Sequence, residues 1–209
     1  KLDANFQRKV ESILRVFVTE QHHEEQSSYR FMRSNSYATD TLSRDGKGAL
    51  VRSGCGLIWS GFRPSDDACR YGYLIPSNMF AWCTSYLEEI AAEILEDEEL
   101  RQEAGALKEE VYQAIETIGK TKTEEFGEIY AYETDGYGMY NLMDDANVPT
   151  FCPCLTWGIR RIKRQQIAQE NFCSAKRIPT ILKEVLQQGS EVGIRRPATS
   201  GTLRWRCRD

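Results

Sequence analysis

The sequence predicts an all-α fold, and two observations predict it. Apolar residues return at helical spacing in three separate stretches, and the segments between them are polar loops carrying carboxylates and aromatics. Phe6, Val10, Ile13, Leu14, Phe17 and Val18 mark an amphipathic helix from Asp3 to about Gln21. A polar turn follows at His22–Ser28, with Tyr29 and Phe31 beyond it. Residues 34–56 are rich in Ser, Thr, Asp and Gly and read as a loop or short hairpin. Ser77 is placed to cap a long helix reaching about Arg101, with Met79, Leu87, Ile90, Ile94 and Leu95 on one face. On this reading Gly105 breaks that helix. Leu107, Val111, Ile115 and Ile118 then mark a further helix closed by Gly119. Residues 133–149 form a second loop rich in carboxylates and aromatics.

Composition narrows the class of protein. A chain of 209 residues forms one large domain or two small ones. Hydrophobic residues at 41% and aromatics at 11% suit a packed globular protein. No apolar run approaches the roughly 18 residues that a membrane span requires, so no membrane partner is expected. The chain opens on Lys1 with no signal-peptide pattern, so a cytoplasmic protein is expected, with its native N-terminus upstream. Cys55, Cys69 and Cys83 alone make no disulfide framework in residues 1–150, which suits a reducing compartment.

The net charge of −4 conceals a split. Residues 1–150 carry 15 Lys+Arg against 27 Asp+Glu, and residues 151–209 carry 12 against 4. A basic tail holding Cys152, Cys154, Cys173 and Cys207 raises nucleic acid and zinc as partners. The acidic body opposes phosphate, and Cys152-x-Cys154 has the wrong spacing for a zinc knuckle with no second pair following. His22-His-Glu-Glu resembles a metal cluster, but neighbours on a helix point about 100° apart and the spacing is not that of a zinc helix motif. A polar turn or a hydrogen-bonding site fits it better. Neither metal, cofactor nor nucleic acid is expected.

Trp59–Phe80 is the stretch richest in chemistry: arginine, two adjacent carboxylates, several aromatics and several hydroxyl or amide groups. Asp66 and Asp67 are candidates for a general acid, because burial and a neighbouring carboxylate raise the proton affinity of one of a pair. Aspartates in this position also serve as helix caps or plain surface charge. Asp144-Asp145 repeats the pair in a similar context. Arg63 can hold a carboxylate or bind hydroxyls through its planar fork. Trp59, Phe62, Tyr137 and Tyr140 are candidates for stacking walls, although aromatics at such positions are more often core.

Four motifs together carry a resemblance: Trp59–Phe80, Glu20-Gln-His-His-Glu-Glu-Gln, Arg44-Asp-Gly-Lys-Gly, and Glu133-Thr-Asp-Gly-Tyr-Gly with Met143-Asp-Asp-Ala-Asn-Val-Pro149. Residues 1 to about 150 closely resemble glycoside hydrolase family 125, exo-acting and metal-independent α-1,6-mannosidases. The resemblance implies an (α/α)6 barrel, present here as an incomplete toroid. It also implies an inverting mechanism at the non-reducing terminal mannose of an α-mannoside or mannose-containing glycan. The candidate acid is Asp66 or Asp67. The candidate substrate-binding residues are Arg63, Ser65, Trp59, His22, His23, Asp135, Tyr137, Asp144, Asp145 and Asn147. The family's base, a glutamate in a Met-His-Glu context, has no counterpart in these residues, so the chain is expected to be inactive as encoded. A non-catalytic mannoside-binding module is the alternative.

The resemblance ends near Thr150, where charge and cysteine content change. Gly193–Cys207 can be back-translated so that the third-base phase reads HTPPGYIWHLALAM, which looks like the family's own text, and two more segments of the tail behave the same way in that phase. A single frameshift near Pro149–Phe151 is therefore expected, leaving residues 1–150 as a partial glycosidase domain. Residues 151–209 would then be a tail whose patterning does not specify a packed fold.

Overall fold

The computed structural model describes residues 4–34, 37–83 and 86–143. The candidates Asp144, Asp145 and Asn147 and the boundary near residue 150 lie outside the described residues. Helix α1 spans Ala4–Gln21, close to the bounds read from the sequence. Val10, Leu14 and Gln21 are buried, and Phe6 and Phe17 pack against the same core. Steps of three and four residues place them on one side of a helix with 3.6 residues per turn. Ile13, Val16 and Val18 lie off that stripe and remain exposed. The helix stops where His22 leaves helical dihedrals (φ −109°, ψ 40°), and a single turn, α2 (His23–Gln26), follows.

The next helical stretch departs from the sequence reading. Helix α3 begins at Ile75, not at a Ser77 cap, and runs to Cys83. Pro76 lies in its first turn, where a missing N–H costs no intrahelical bond. Helix α4 (Tyr86–Glu89) passes into a π-helical segment, Ile90–Leu95, which ends at Glu96 in the left-handed conformation (φ 54°, ψ 35°). Asp97 then starts a new helix, its carboxylate accepting the Leu100 N–H at 3.0 Å. Helix α5 runs without interruption through Gly105, from Glu98 to Ile118. The break thus falls at Glu96 and not at Gly105. An interior glycine costs only about 1 kcal/mol relative to alanine, and burial of Leu100, Leu107, Val111 and Ile115 offsets it. A Cβ at Gly105 would stand 3.2 Å from the Glu88 carboxylate, so the glycine lets α4 lie close to α5. Helices α1, α3 and α4 and the π segment all pack on α5. No helix of the described residues is long and apolar enough to cross a membrane.

Two small antiparallel sheets add to the helices that the sequence predicts. Strands β2 (Lys120–Thr123) and β3 (Gly127–Tyr130) form a hairpin in which Lys120 faces Tyr130. Strands β1 (Tyr73–Leu74), β4 (Glu133–Thr134) and β5 (Tyr140–Asn141) form a second sheet with β4 in the centre. Glu133 faces Leu74 on one side and Asn141 on the other. Two-residue strands are too short to show a period of two in the sequence, so residues 133–141 read as loop. This sheet joins the two polar segments that carry the candidate residues, and Tyr73 and Leu74 within it, like Leu57, Ile75 and Tyr132, are fully buried.

Candidate active site

Ser60–Gly72 folds back on itself as a hairpin-like loop. The Ser60 N–H donates to the Gly72 carbonyl at 2.8 Å, and the Cys69 N–H to that of Gly61 at 2.9 Å. Phe62 pairs with Ala68 across an antiparallel bridge. At the tip, the Asp66 N–H donates to the Arg63 carbonyl at 3.0 Å, and the Arg63 N–H to the Asp67 carbonyl at 2.8 Å. Pro64, Ser65 and Asp66 therefore form a three-residue hairpin loop closed by Asp66 in the left-handed region (φ 67°). Proline pre-sets the first loop position, and aspartate tolerates positive φ better than most residues. Asp66 closes a turn and does not cap a helix. Ser65 and Asp66 are exposed at the tip, and Asp67 beside them is half-buried.

The loop is anchored by a residue outside the predicted set. Glu133, on the central strand β4, has no solvent exposure. Its Oε1 accepts the Arg63 Nε–H, and its Oε2 accepts the N–H groups of Arg70 at 2.8 Å and Tyr71 at 3.0 Å. Burial opposes the charge on Arg63, but the hydrogen bond and charge of Glu133 outweigh it and raise the guanidinium pKa. Nothing local in the sequence distinguishes Glu133 from a solvated glutamate. Its place at the head of the Glu133-Thr-Asp motif was the only available signal.

The His22–Glu25 turn serves as scaffold. His22 is half-buried, with its ring against Gly54. His23 is fully buried and stacks on Trp59 with centroids 3.7 Å apart and planes 11° from parallel. Its Nε2 lies 2.8 Å from the Lys47 carbonyl, which can only accept, so Nε2 carries a hydrogen. Its Nδ1 lies within hydrogen-bonding distance of Glu20 Oε2, at 2.6 Å. Ser27 donates to the other Glu20 oxygen at 2.7 Å. Trp59 is 7% exposed and enclosed by glycines from three segments. A Cβ would stand 2.6 Å from the indole at Gly48, 3.0 Å at Gly61 and 3.1 Å at Gly72. Trp59 and His23 thus form part of the interior and not an open stacking wall.

Glu24 receives the Arg44 fork at 2.7 and 2.8 Å and Lys47 Nζ at 2.8 Å. The Arg44 hydrogen bonds, against some burial and with help from Lys47 and the Val51 N–H, lower its pKa to about 2. The arginine fork holds a left-handed turn in which Arg44 and Asp45 both have φ of 54°, a conformation costing roughly 1–2 kcal/mol per residue. In the second loop, one Asp135 oxygen accepts the N–H groups of Tyr137 at 2.8 Å and Met139 at 3.0 Å. The Asp135 carbonyl accepts the Arg52 N–H at 2.8 Å. Tyr137 is 64% exposed and available for contact, whereas Phe62 lies edge-on to Phe31 within the wall.

Arg63, Ser65, Asp66 and Asp67 therefore share one hairpin, joined through Glu133 to the strand that leads into Asp135 and Tyr137. A cleft of about 670 Å³ lies between α1 and α5, lined by Glu11, Arg15, Val18, Glu103 and Glu110 among others. Of the predicted site residues it reaches only His22, so it is a separate feature. No group of three His, Cys, Asp or Glu among the described residues is placed to hold a metal ion.

Comparison with known proteins bears directly on this arrangement. The family model described as metal-independent alpha-mannosidase (GH125) matches residues 1–171, running past Thr150. A Schizosaccharomyces pombe protein described as meiotically up-regulated gene 157 protein is 37% identical over 123 residues, which is 58% of this chain and 24% of that protein. A solved Streptococcus pneumoniae structure from a family of metal-independent α-mannosidases, in a non-productive complex with α-1,6-mannobiose, aligns with a TM-score of 0.75 and 36% identity. That alignment covers 83% of this chain and 42% of the other. The chain thus spans less than half the length of either relative.

Proposed function

Because the chain belongs to the GH125 family of metal-independent α-mannosidases, we propose that it supplies the proton-donating side of an exo-acting, inverting hydrolase. The substrate on this reading is non-reducing terminal α-1,6-linked mannose, and α1, α3 and α5 form part of an (α/α)6 barrel. The observation that carries the proposal is the hairpin tip, where two adjacent aspartates and Arg63 stand together. One aspartate protonates the departing glycosidic oxygen while a second carboxylate, roughly 6.5–9.5 Å away, activates water on the opposite face. Arg63 spends Nε on Glu133, and its two Nη groups are the donors for sugar hydroxyls. Ser65, Asp135 and Tyr137 complete the near side. His22, Asp144, Asp145 and Asn147 are proposed to contact the sugar. Trp59 and His23 act from behind, as the packed floor. The Met-His-Glu segment that the family resemblance assigns to the water-activating carboxylate does not occur in these 209 residues, and on this reading the chain alone is inactive. Cys55 and Cys69 are not disulfide-bonded, and the cytoplasm is the compartment we propose on this reading.

Assays of the complete natural polypeptide on α-1,6-mannobiose test the reaction, and proton NMR of the released mannose should show an inverted anomer. Asp66→Asn and Asp67→Asn identify the acid: one of them should lose at least about 10²-fold in kcat/KM. Retention of activity within tenfold by both would remove the hairpin from the mechanism. We attach to this reading a shift of frame near residues 149–151, against which the family match to residue 171 stands, and DNA sequence across codons 148–152 tests it directly. An uninterrupted frame there would overturn it.

A further inference from the structure

We propose that Glu133 is the positioning residue of the acid-bearing hairpin, a role that rests on the hydrolase reading of Asp66 and Asp67. One buried carboxylate ties both arms of the Ser60–Gly72 loop. Oε1 holds the side chain of Arg63, the first residue of the tip, and Oε2 holds the backbone of Arg70 and Tyr71 on the returning arm. The hairpin is also tied to the body by a backbone hydrogen bond, from the Ala68 N–H to the Thr39 carbonyl at 2.7 Å, and by the Phe62–Phe31 ring contact. Glu133 is itself rigidly held, because β4 is the central strand and is paired on both sides.

A carboxylate removed from water must be fully paired, and this one is paired only while the hairpin stays in place. The relation works in both directions. The hairpin satisfies Glu133, and Glu133 fixes the Arg63 fork and, through two backbone amides, the path of the chain from Asp67 onward. Rigid placement of this kind matters because a displacement of about 1 Å at a reacting group can cost about 10²-fold in rate. Glutamine cannot substitute. It has one acceptor oxygen and one NH2 group, so either the Arg63 N–H or the two backbone N–H groups would face a donor.

Glu133→Gln in the complete natural polypeptide tests the inference, with two readouts. Hydrogen exchange at the Arg70 and Tyr71 amides should rise about tenfold or more while exchange in Glu98–Ile118 stays unchanged. The kcat/KM on α-1,6-mannobiose should fall about 10²-fold, and adding Arg63→Lys should cost no more than the worse single substitution, because the two act as one unit. Unchanged exchange at Arg70 and Tyr71 overturns the inference whatever the activity. Raised exchange with kcat/KM within twofold also overturns it, leaving Glu133 a purely structural anchor. Losses that multiply in the double variant overturn the route through Arg63. If the unsubstituted polypeptide does not turn over the disaccharide, the hydrolase reading fails, and the exchange measurement alone decides whether Glu133 holds the loop. If Glu133→Gln also raises exchange in Glu98–Ile118, Glu133→Asp, which keeps the charge but shortens the reach, replaces it under the same criteria.

Discussion

Glu24 and Glu133 each receive an arginine, one at the rim of the protein and the other with no solvent at all. Glu24 retains 14% side-chain exposure and has two cationic partners, Arg44 through both Nη groups and Lys47. Glu133 has a single guanidinium N–H and two backbone amides. At the rim the pairing is redundant, because Lys47 and water can take over if Arg44 leaves. In the interior the donors are the Arg63 Nε–H and two backbone amides, and losing the guanidinium leaves the buried charge without its cationic partner. The same residue type thus serves as a replaceable brace for the left-handed Arg44–Asp45 turn in one place and as a buried anchor of both arms of a loop in the other.

Arg63→Ala should give the largest effect, because it leaves the Glu133 charge buried without a cation. A loss of about 3–5 kcal/mol in urea denaturation is expected, and a loss below about 1 kcal/mol would erase the distinction between the two carboxylates. Acid titration of Glu24 comes next. Its folded pKa of about 2 lies below the ordinary 4.5, so its contribution is complete above that ordinary value and disappears as the pH falls toward 2. Solvent screening at the rim brings that contribution to about 1–2 kcal/mol. Stability curves of the unsubstituted protein and Glu24→Gln should therefore separate near neutral pH and converge near pH 2; a constant gap would assign the effect to something other than this ionisation. Arg44→Ala should have the smallest effect, about 1 kcal/mol or less by thermal melting, since Lys47 remains on Glu24. A cost matching that of Arg63→Ala would show that the rim pairing is not redundant.

The legible and illegible parts of the sequence divide along a similar line. Val10 and Leu14 in α1, and Leu107, Val111 and Ile115 in α5, announced their buried faces because helical periodicity is a local property. Gly105 was misleading for the opposite reason: whether a glycine ends a helix depends on what packs around it, here Glu88 from α4. The actual break at Glu96 depended on Asp97 capping the helix that follows. Arg63-Pro-Ser-Asp-Asp carried readable turn chemistry in its proline and its αL-tolerant aspartate, yet two adjacent acids suggested a helix cap more readily than a hairpin tip. Nothing local could reveal that Trp59 would be enclosed by Gly48, Gly72 and His23, since those contacts come from 11 to 36 residues away along the chain.

By itself the sequence determined the helical faces, the chemistries present in the two polar segments and the family to which they point. Only the tertiary structure decided how those chemistries are divided: Asp66, Ser65 and Tyr137 in solvent, Asp67 half enclosed, and His23, Trp59 and Glu133 withdrawn into the support. Spacing along a helix is set by neighbours three or four residues away, whereas burial and pairing are set by partners such as Arg63 and Glu133, 70 residues apart in the chain.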